Sequence, residues 1–310
     1  MAKAKQIPCD EPAVDPQSWL AEVLLSRFDE VAGYAKDALK PDAVKGVHNM
    51  RVATRRLRSV LRDFEGIINE LPAKNVGKDL KKLGDSLGAV RDEDVAIITL
   101  EQFSNENDYE KIREGIENMV AERRSIREKA FRHLVKTLSP KTLTELRSRL
   151  AAALKKANEQ RVLFHPSTIA EAAHEAVTVR SNDLFERGGV IYNPAANKRL
   201  HKLRIVAKRL RYAIELFAAC LDEAVAPFAS EVAQLQGHLG EVHDCDVWIE
   251  ELGERLKDKD RPNAARDAEA WLLSEFVKKR SKEYRAALDL WVNWEQNGFA
   301  DRLRVSISES

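Results

Sequence analysis

Two stretches of this sequence gather cations at a spacing that suits the binding of an extended anion. From Lys45 to Arg62 there is no acid, and His48, Arg51, Arg55, Arg58 and Arg62 recur at steps of three and four. On a helix turning about 100° per residue they fall within about 80° of one another. Met50, Ala53, Leu57, Leu61 and Phe64 fall on the opposite side. From Arg187 to Ile214 there is again no acid. His201, Arg204, Lys208 and Arg211 share one face there, and Leu203, Leu210, Ile214 and Phe217 the other. Arg56 and Arg209 sit off the stripes and flank them. A solvated helix face ordinarily mixes signs, because like charges at i,i+4 destabilise it. A face that accepts this repulsion calls for an anion to relieve it. The alternative is a solvated basic face without a ligand, and the recurrence of the stripe weighs against it. His48 and His201 lie on the stripes and are candidate phosphate contacts, with a charge near neutral pH that depends on the anion. One position breaks the match: Glu215 stands where Arg62 stands.

Further cations fall where apolar residues are expected. Ile116, Val120, Phe131 and Leu134 define a buried helical stripe that also includes Arg123 and Arg127. Arg280 falls in the same way among Leu273, Phe276 and Trp291, with Tyr284 in the position of Arg127. A buried guanidinium needs a partner. Two readings stay open: ion pairs with Asp92, Asp94, Asp244 or Asp246, or another wall of the same basic cleft. The guanidinium fork suits carboxylate and phosphate alike. The segments Leu87-Gly88-Ala89-Val90-Arg91-Asp92-Glu93-Asp94-Val95 and Leu239-Gly240-Glu241-Val242-His243-Asp244-Cys245-Asp246-Val247 read as structural. Gly88 and Gly240 allow close helix approach, and Asp92 and Asp244 cap a following helix. His243-Asp244 is similar to a dipeptide of metal phosphohydrolases, but the first segment has Arg91 in place of the histidine. That substitution speaks against a symmetric metal centre.

The elements that carry these residues are helices. The chain has 310 residues, 44% hydrophobic and 33% charged, with only 13 Gly and 10 Pro, a composition that favours an ordered helical protein. Apolar periodicity predicts helices at roughly 17–39, 43–70, 73–90, 93–104, 107–138, 141–160, 167–186, 195–220, 223–241, 245–257 and 263–293, with a short one near the end. Pro41, Pro72, Ser139-Pro140, Gly188-Gly189 and Pro194 mark breaks. His165-Pro166-Ser167 marks a joint, with Ser167 as an N-cap. The basic helices align at an offset of 153 (His48 to His201), and the Gly-containing segments at 152 (Gly88 to Gly240). Two motifs at nearly one spacing indicate internal duplication. The expectation is an all-α protein of two tandem four-helix-type bundles with pseudo-twofold symmetry: an arm over 1–16, a first repeat over 17–163 and a second over 164–310. Net charge is only +1, so the cations are segregated rather than in excess. Cys9, Cys220 and Cys245 are odd in number and far apart, and read as reduced thiols of a cytosolic protein. No apolar run is long enough to span a membrane.

The doubled His-x-x-Arg-x-x-x-[Arg/Lys]-Arg-Leu-Arg helix, followed by Leu-Gly-x-Val-x-Asp-x-Asp-Val, resembles the CHAD domain, the conserved histidine α-helical domain, over roughly residues 17–300. The resemblance implies two four-helix bundles with a basic cavity or pore between them, binding of inorganic polyphosphate and association with polyphosphate granules. By position, His48, Arg51, Arg55, Arg56 and Arg58 match the family's first motif. His201, Arg204, Lys208, Arg209 and Arg211 match its second. The triphosphatase-like domain fused to some members has no counterpart here.

The expected function is non-catalytic binding of polyphosphate in the cytoplasm, with no cofactor, no metal, no membrane and no specific nucleic acid as partner. The site would be His48, Arg51, Arg55, Arg56, Arg58, Arg62, Arg123, Arg127, His201, Arg204, Lys208, Arg209, Arg211 and Arg280. Two other readings compete. An enzyme that transfers or hydrolyses phosphate through His48 or His201 would call for a metal cluster or a Gly-x-x-x-x-Gly-Lys loop. A nucleic-acid binder would interleave aromatics with cations, and only Tyr212 adjoins a stripe.

Overall fold

A computed structural model describes residues 16–42, 44–63, 74–159, 168–258 and 262–308. Within them every regular element is helical. In chain order these are α1 (Pro16–Gly33), α2 (Ala35–Ala38), α3 (Val44–Asp63), α4 (Lys74–Asn105), α5 (Glu110–Thr137) and α6 (Pro140–Glu159). They continue with α7 (Ile169–Gly188), α8 (Asn197–Phe217), α9 (Ala226–Lys257), α10 (Asn263–Gln296) and α11 (Phe299–Ser308). Short 3₁₀ turns at Gly189–Tyr192 and Glu223–Val225 precede α8 and α9. Phe64, Pro72, the His165-Pro166-Ser167 joint with its N-cap, Cys9 and most of the 1–16 arm lie outside the described residues.

Two boundaries differ from expectation for one reason. The breaks placed before Asp92 and before Asp244–Cys245 do not exist: α4 and α9 are each single helices of 32 residues. Asp92 and Asp244 therefore cap nothing. An isolated Gly or Asp costs a helix only about 1 kcal/mol or less, and the burial of Leu87, Val90, Leu239 and Val242 outweighs that.

The chain forms two compact units. The first holds the described residues up to Leu100 together with Met119–Ile169; the second holds Glu101–Asn118 and Ala170–Ser310. The expected boundary near 163 would leave 101–118 with the first repeat. These residues belong instead with the second unit, where Phe103 meets Trp271 and Phe276 edge-on at 5.8 and 5.2 Å. Gly115 there lies so close to Ala264 and Ala268 that a side chain would not fit.

In the first unit α1 packs on α3 and α6. Trp19, Val23 and Phe28 of α1 meet a core that includes Met50, Ala53 and Leu57 of α3, all buried. The apolar side of the basic helix is thus its core side, and its cationic side is what remains. In the second unit α9 packs on α8 and α10. Leu203, Leu210, Ile214 and Phe217 of α8 are buried. Trp248 stacks on Phe276 at 5.1 Å and Trp294 on Phe299 at 4.1 Å. Gly188 abuts the Trp291 ring, where a β-carbon would overlap it. Gly298, at φ 60°, turns the chain from α10 into α11, the left-handed conformation that favours glycine just past a helix end.

The described cysteines differ from each other. Cys245 is a buried free thiol, pushed up to about 12 by burial. Cys220 is disulfide-bonded, which corrects the expectation of three reduced thiols.

Candidate functional site

Packing turns α3 so that its stripe lies along α4. Small residues on α4 make room for the long cationic side chains. A β-carbon at Gly84 would stand 3.0 Å from Arg58 Nη1, and one at Gly88 would stand 3.8 Å from Arg51 Nε. In the second unit a β-carbon at Gly240 would stand 3.3 Å from Arg204 Nε. Gly88 and Gly240 were expected to let helices approach. What they admit is a guanidinium of the basic helix.

The stripe residues are half-buried in the first unit: His48, Arg51, Arg55 and Arg58, with Arg56 beside them. Arg62 is exposed and donates from Nη2 to Ser59 Oγ at 2.8 Å. Arg51 pairs with the exposed Asp92 at 3.2 Å. Arg55 and Arg58 make no ion pair among the described residues, and the buried Nε of Arg55 has no hydrogen-bond partner. In the second unit His201, Arg204, Lys208 and Arg209 are half-buried, and Arg204 and Arg209 have no ion-pair partner among the described residues. Arg211 is buried, with Nε 3.4 Å from Glu215 Oε1 and its guanidinium 4.9 Å from the centre of the Tyr212 ring.

The three arginines with two open readings are all in ion pairs. Arg123 Nη1 meets Glu93 Oε1 at 3.3 Å. Arg127 Nε donates to Asp94 Oδ1 at 2.5 Å, and its Nη1 to the Pro41 carbonyl at 3.0 Å. Arg280 Nε donates to Asp246 Oδ1 at 2.5 Å, and its Nη2 to the Pro194 carbonyl at 2.8 Å and to Asn197 Oδ1 at 3.0 Å. Each of the last two joins a loop just ahead of a basic helix to the long helix behind it. Arg280 therefore matches Arg127 in its aspartate and proline-carbonyl partners. Tyr284, expected at that position, donates its hydroxyl to the Ile191 carbonyl at 2.6 Å.

Two site neighbours were missed as such. His243 of α9 lies against His201 of α8 with ring centres 3.9 Å apart. Arg91, which takes the place of His243 in the first unit, acts on His48 electrostatically. Their common position after Leu-Gly-x-Val was the available signal. Burial, then Arg91, Arg55 and Arg51, hold the His48 imidazole below its ordinary range. Burial, then His243, Arg204 and Lys208, do the same to His201, against a smaller opposing pull from Asp244. Burial and Arg204 lower His243, opposed by Asp246. Burial and crowded cations both disfavour one more positive charge, so these rings hold a proton only weakly.

Among the described residues no group of three or more His, Cys, Asp or Glu is placed to hold a metal ion, and no helix is long and apolar enough to cross a membrane.

The CHAD domain family matches residues 22–253. Among solved structures the chain is similar to the crystal structure of the CHAD domain from the plant Ricinus communis, with TM-score 0.72 and 23% identity, over 99% of this chain and 95% of that one. It is also similar to PptA from Streptomyces chartreusis, with TM-score 0.66 and 13% identity, over 90% of this chain and 99% of that one. At these identities the likeness concerns the fold. No curated protein matches the chain. The family match spans most of the sequence and takes in both basic helices with the Gly-containing segments that seat their arginines; the chain belongs to the CHAD domain family.

Proposed function

We propose that this protein binds inorganic polyphosphate through the cationic faces of α3 and α8, without chemical turnover. One observation carries the reading: Arg55, Arg58, Arg204 and Arg209 stand half-buried on or beside the stripes without an ion-pair partner among the described residues, while Arg123, Arg127 and Arg280 are paired. Partly desolvated guanidiniums are costly to leave unmatched, and a dense polyanion supplies what the protein withholds. A nucleic acid would supply the phosphates as well, but its bases need exposed aromatic platforms. Tyr212, the aromatic adjoining a stripe, is buried. A ligand of phosphates alone suits these faces better. Association with polyphosphate granules follows from the same affinity.

Binding by several cations releases counterions, so affinity should fall steeply as salt rises, by roughly 0.7 log units per contact for each tenfold change in salt. Titration of long-chain polyphosphate, single-stranded DNA and heparin at matched salt checks this, with a gel to follow chain length. The expected result is a preference for polyphosphate, a steep salt slope and an unchanged chain length. Affinity indifferent to salt would refute the binding reading. Shortening of the chain that is lost in His48→Ala would establish an enzyme instead.

A further inference from the structure

We infer that Glu215 shortens the phosphate track of the second unit by holding Arg211 out of it. The inference rests on the polyphosphate-binding reading above.

The two stripes begin alike and end differently. Along the repeat Arg58 corresponds to Arg211, Arg62 to Glu215 and Gly84 to Gln236. In the first unit the bare backbone of Gly84 provides a seat for the Arg58 guanidinium, which keeps no ion-pair partner among the described residues. Arg62 continues the track one turn further and is exposed. In the second unit a glutamine fills the place of that glycine. Gln236 Oε1 is buried without a hydrogen-bond partner. The guanidinium of Arg211 instead lies over Tyr212, beside the Glu215 carboxylate, with its side chain only 9% exposed. The same helix position thus offers an available cation in one unit and a neutralised one in the other.

The pair is loosely made, which fits a restraint more than a clamp. At 3.4 Å from Glu215, Arg211 Nε is near enough for electrostatic attraction, yet it forms no hydrogen bond and is buried without one. The order along the helix, cation before acid at i,i+4, is also the weaker orientation. A fully aligned phosphate accepts two hydrogen bonds from a guanidinium. Removing the carboxylate therefore leaves Arg211 next in line on the stripe after Lys208. The consequence is specificity: with Glu215 in place the second unit grips a shorter run of phosphates than the first, and short chains favour the first.

The test uses the full chain, long-chain inorganic polyphosphate and the variants Glu215→Gln, Arg211→Gln and their combination, each checked for helix content by circular dichroism. Arg211→Met serves as a second probe if Arg211→Gln does not fold. Glu215→Gln should tighten binding several-fold at low salt and steepen the salt slope by about 0.7, the value of one added contact on a single-stranded polyanion. Arg211→Gln alone should change little, and in the Glu215→Gln background it should abolish the gain. An equal loss from Arg211→Gln in both backgrounds would mean that Arg211 already contacts the ligand, and would overturn the inference. So would a gain in Glu215→Gln that survives loss of Arg211, since that is bulk charge alone. Failure of the unmodified protein to bind polyphosphate would remove the underlying reading, and the inference with it. Intact binding with either of the other two results removes only the inference.

Discussion

Arg127→Met separates the two roles that the sequence left open for the buried arginines. Asp94 is 1% exposed and Arg127 17%, and they meet at 2.5 Å. Arg127 also holds the Pro41 carbonyl, just ahead of α3, and lies 5.7 Å from the centre of the Phe131 ring. Deleting one partner of a buried pair leaves the other charge uncompensated, at a cost of about 3–5 kcal/mol. Arg127 retains some exposure, so the lower end applies, about 3 kcal/mol. For a unit of this size each kcal/mol shifts Tm by roughly 2–4 °C, which predicts a fall of roughly 6–12 °C by calorimetry. The double variant Asp94→Asn with Arg127→Met should recover most of it, since a neutral pair no longer strands a buried charge. The salt slope of polyphosphate binding, measured below the new Tm, should stay as in the parent. If Tm hardly moves, or if the slope drops by a full contact while Tm stays, Arg127 lines the ligand site and the structural assignment fails. Arg280→Met should cost less, because Asp246 is 12% exposed and has water to fall back on.

Two further outcomes follow from displaced titrations. The imidazoles of His48, His201 and His243 sit below their ordinary range in the free protein, and a bound polyanion raises them. Binding therefore takes up protons, and affinity should rise as pH falls from about 8 to 6 and flatten once all three are neutral, above the bound-state values. Stability of the free protein runs the other way: it is complete above the unfolded histidine value and declines as pH falls from there toward the folded values, because the unfolded chain protonates first. Replacing the three histidines with Gln should flatten both curves, as read by titration and thermal melts; unchanged curves would show that these rings do not titrate. The Cys245 thiol, pushed up to about 12 and buried, should resist iodoacetamide at pH 8 in the folded protein and react after denaturation. Rapid labelling of the native protein at that residue would contradict its placement.

Much of the candidate site was legible because it is a helical property. His48 to Arg62 on one face and Met50, Ala53 and Leu57 on the other follow from residue spacing alone, and the second basic helix repeats the pattern. The seats were not legible. Nothing in the sequence says that Gly84, Gly88 and Gly240 admit guanidiniums rather than backbones, since either use needs a missing side chain. Asp92 and Asp244 suggested helix starts because local propensity resembles a cap there, while burial along Leu87–Val90 and Leu239–Val242 carries the helix straight through. Setting Tyr284 in the position of Arg127 puts Arg280 against Arg123, although the offset of 153 already pairs Arg280 with Arg127; their shared partners make the match plain.

The sequence by itself determined that the chain is helical, that two of its helices segregate cations from apolar residues, and that their motifs occur twice. These are consequences of periodicity and composition, which act over a few turns. The tertiary structure decided which cations remain available. Arg123, Arg127 and Arg280 find carboxylates about 30 or more residues away in sequence, Arg211 finds one a single turn away, and Arg55, Arg58, Arg204 and Arg209 find none among the described residues. A guanidinium fits a carboxylate as well as a phosphate, so its residue type cannot announce its partner. Only the positions of the neighbouring helices settle whether its charge is satisfied within the protein or left for a ligand.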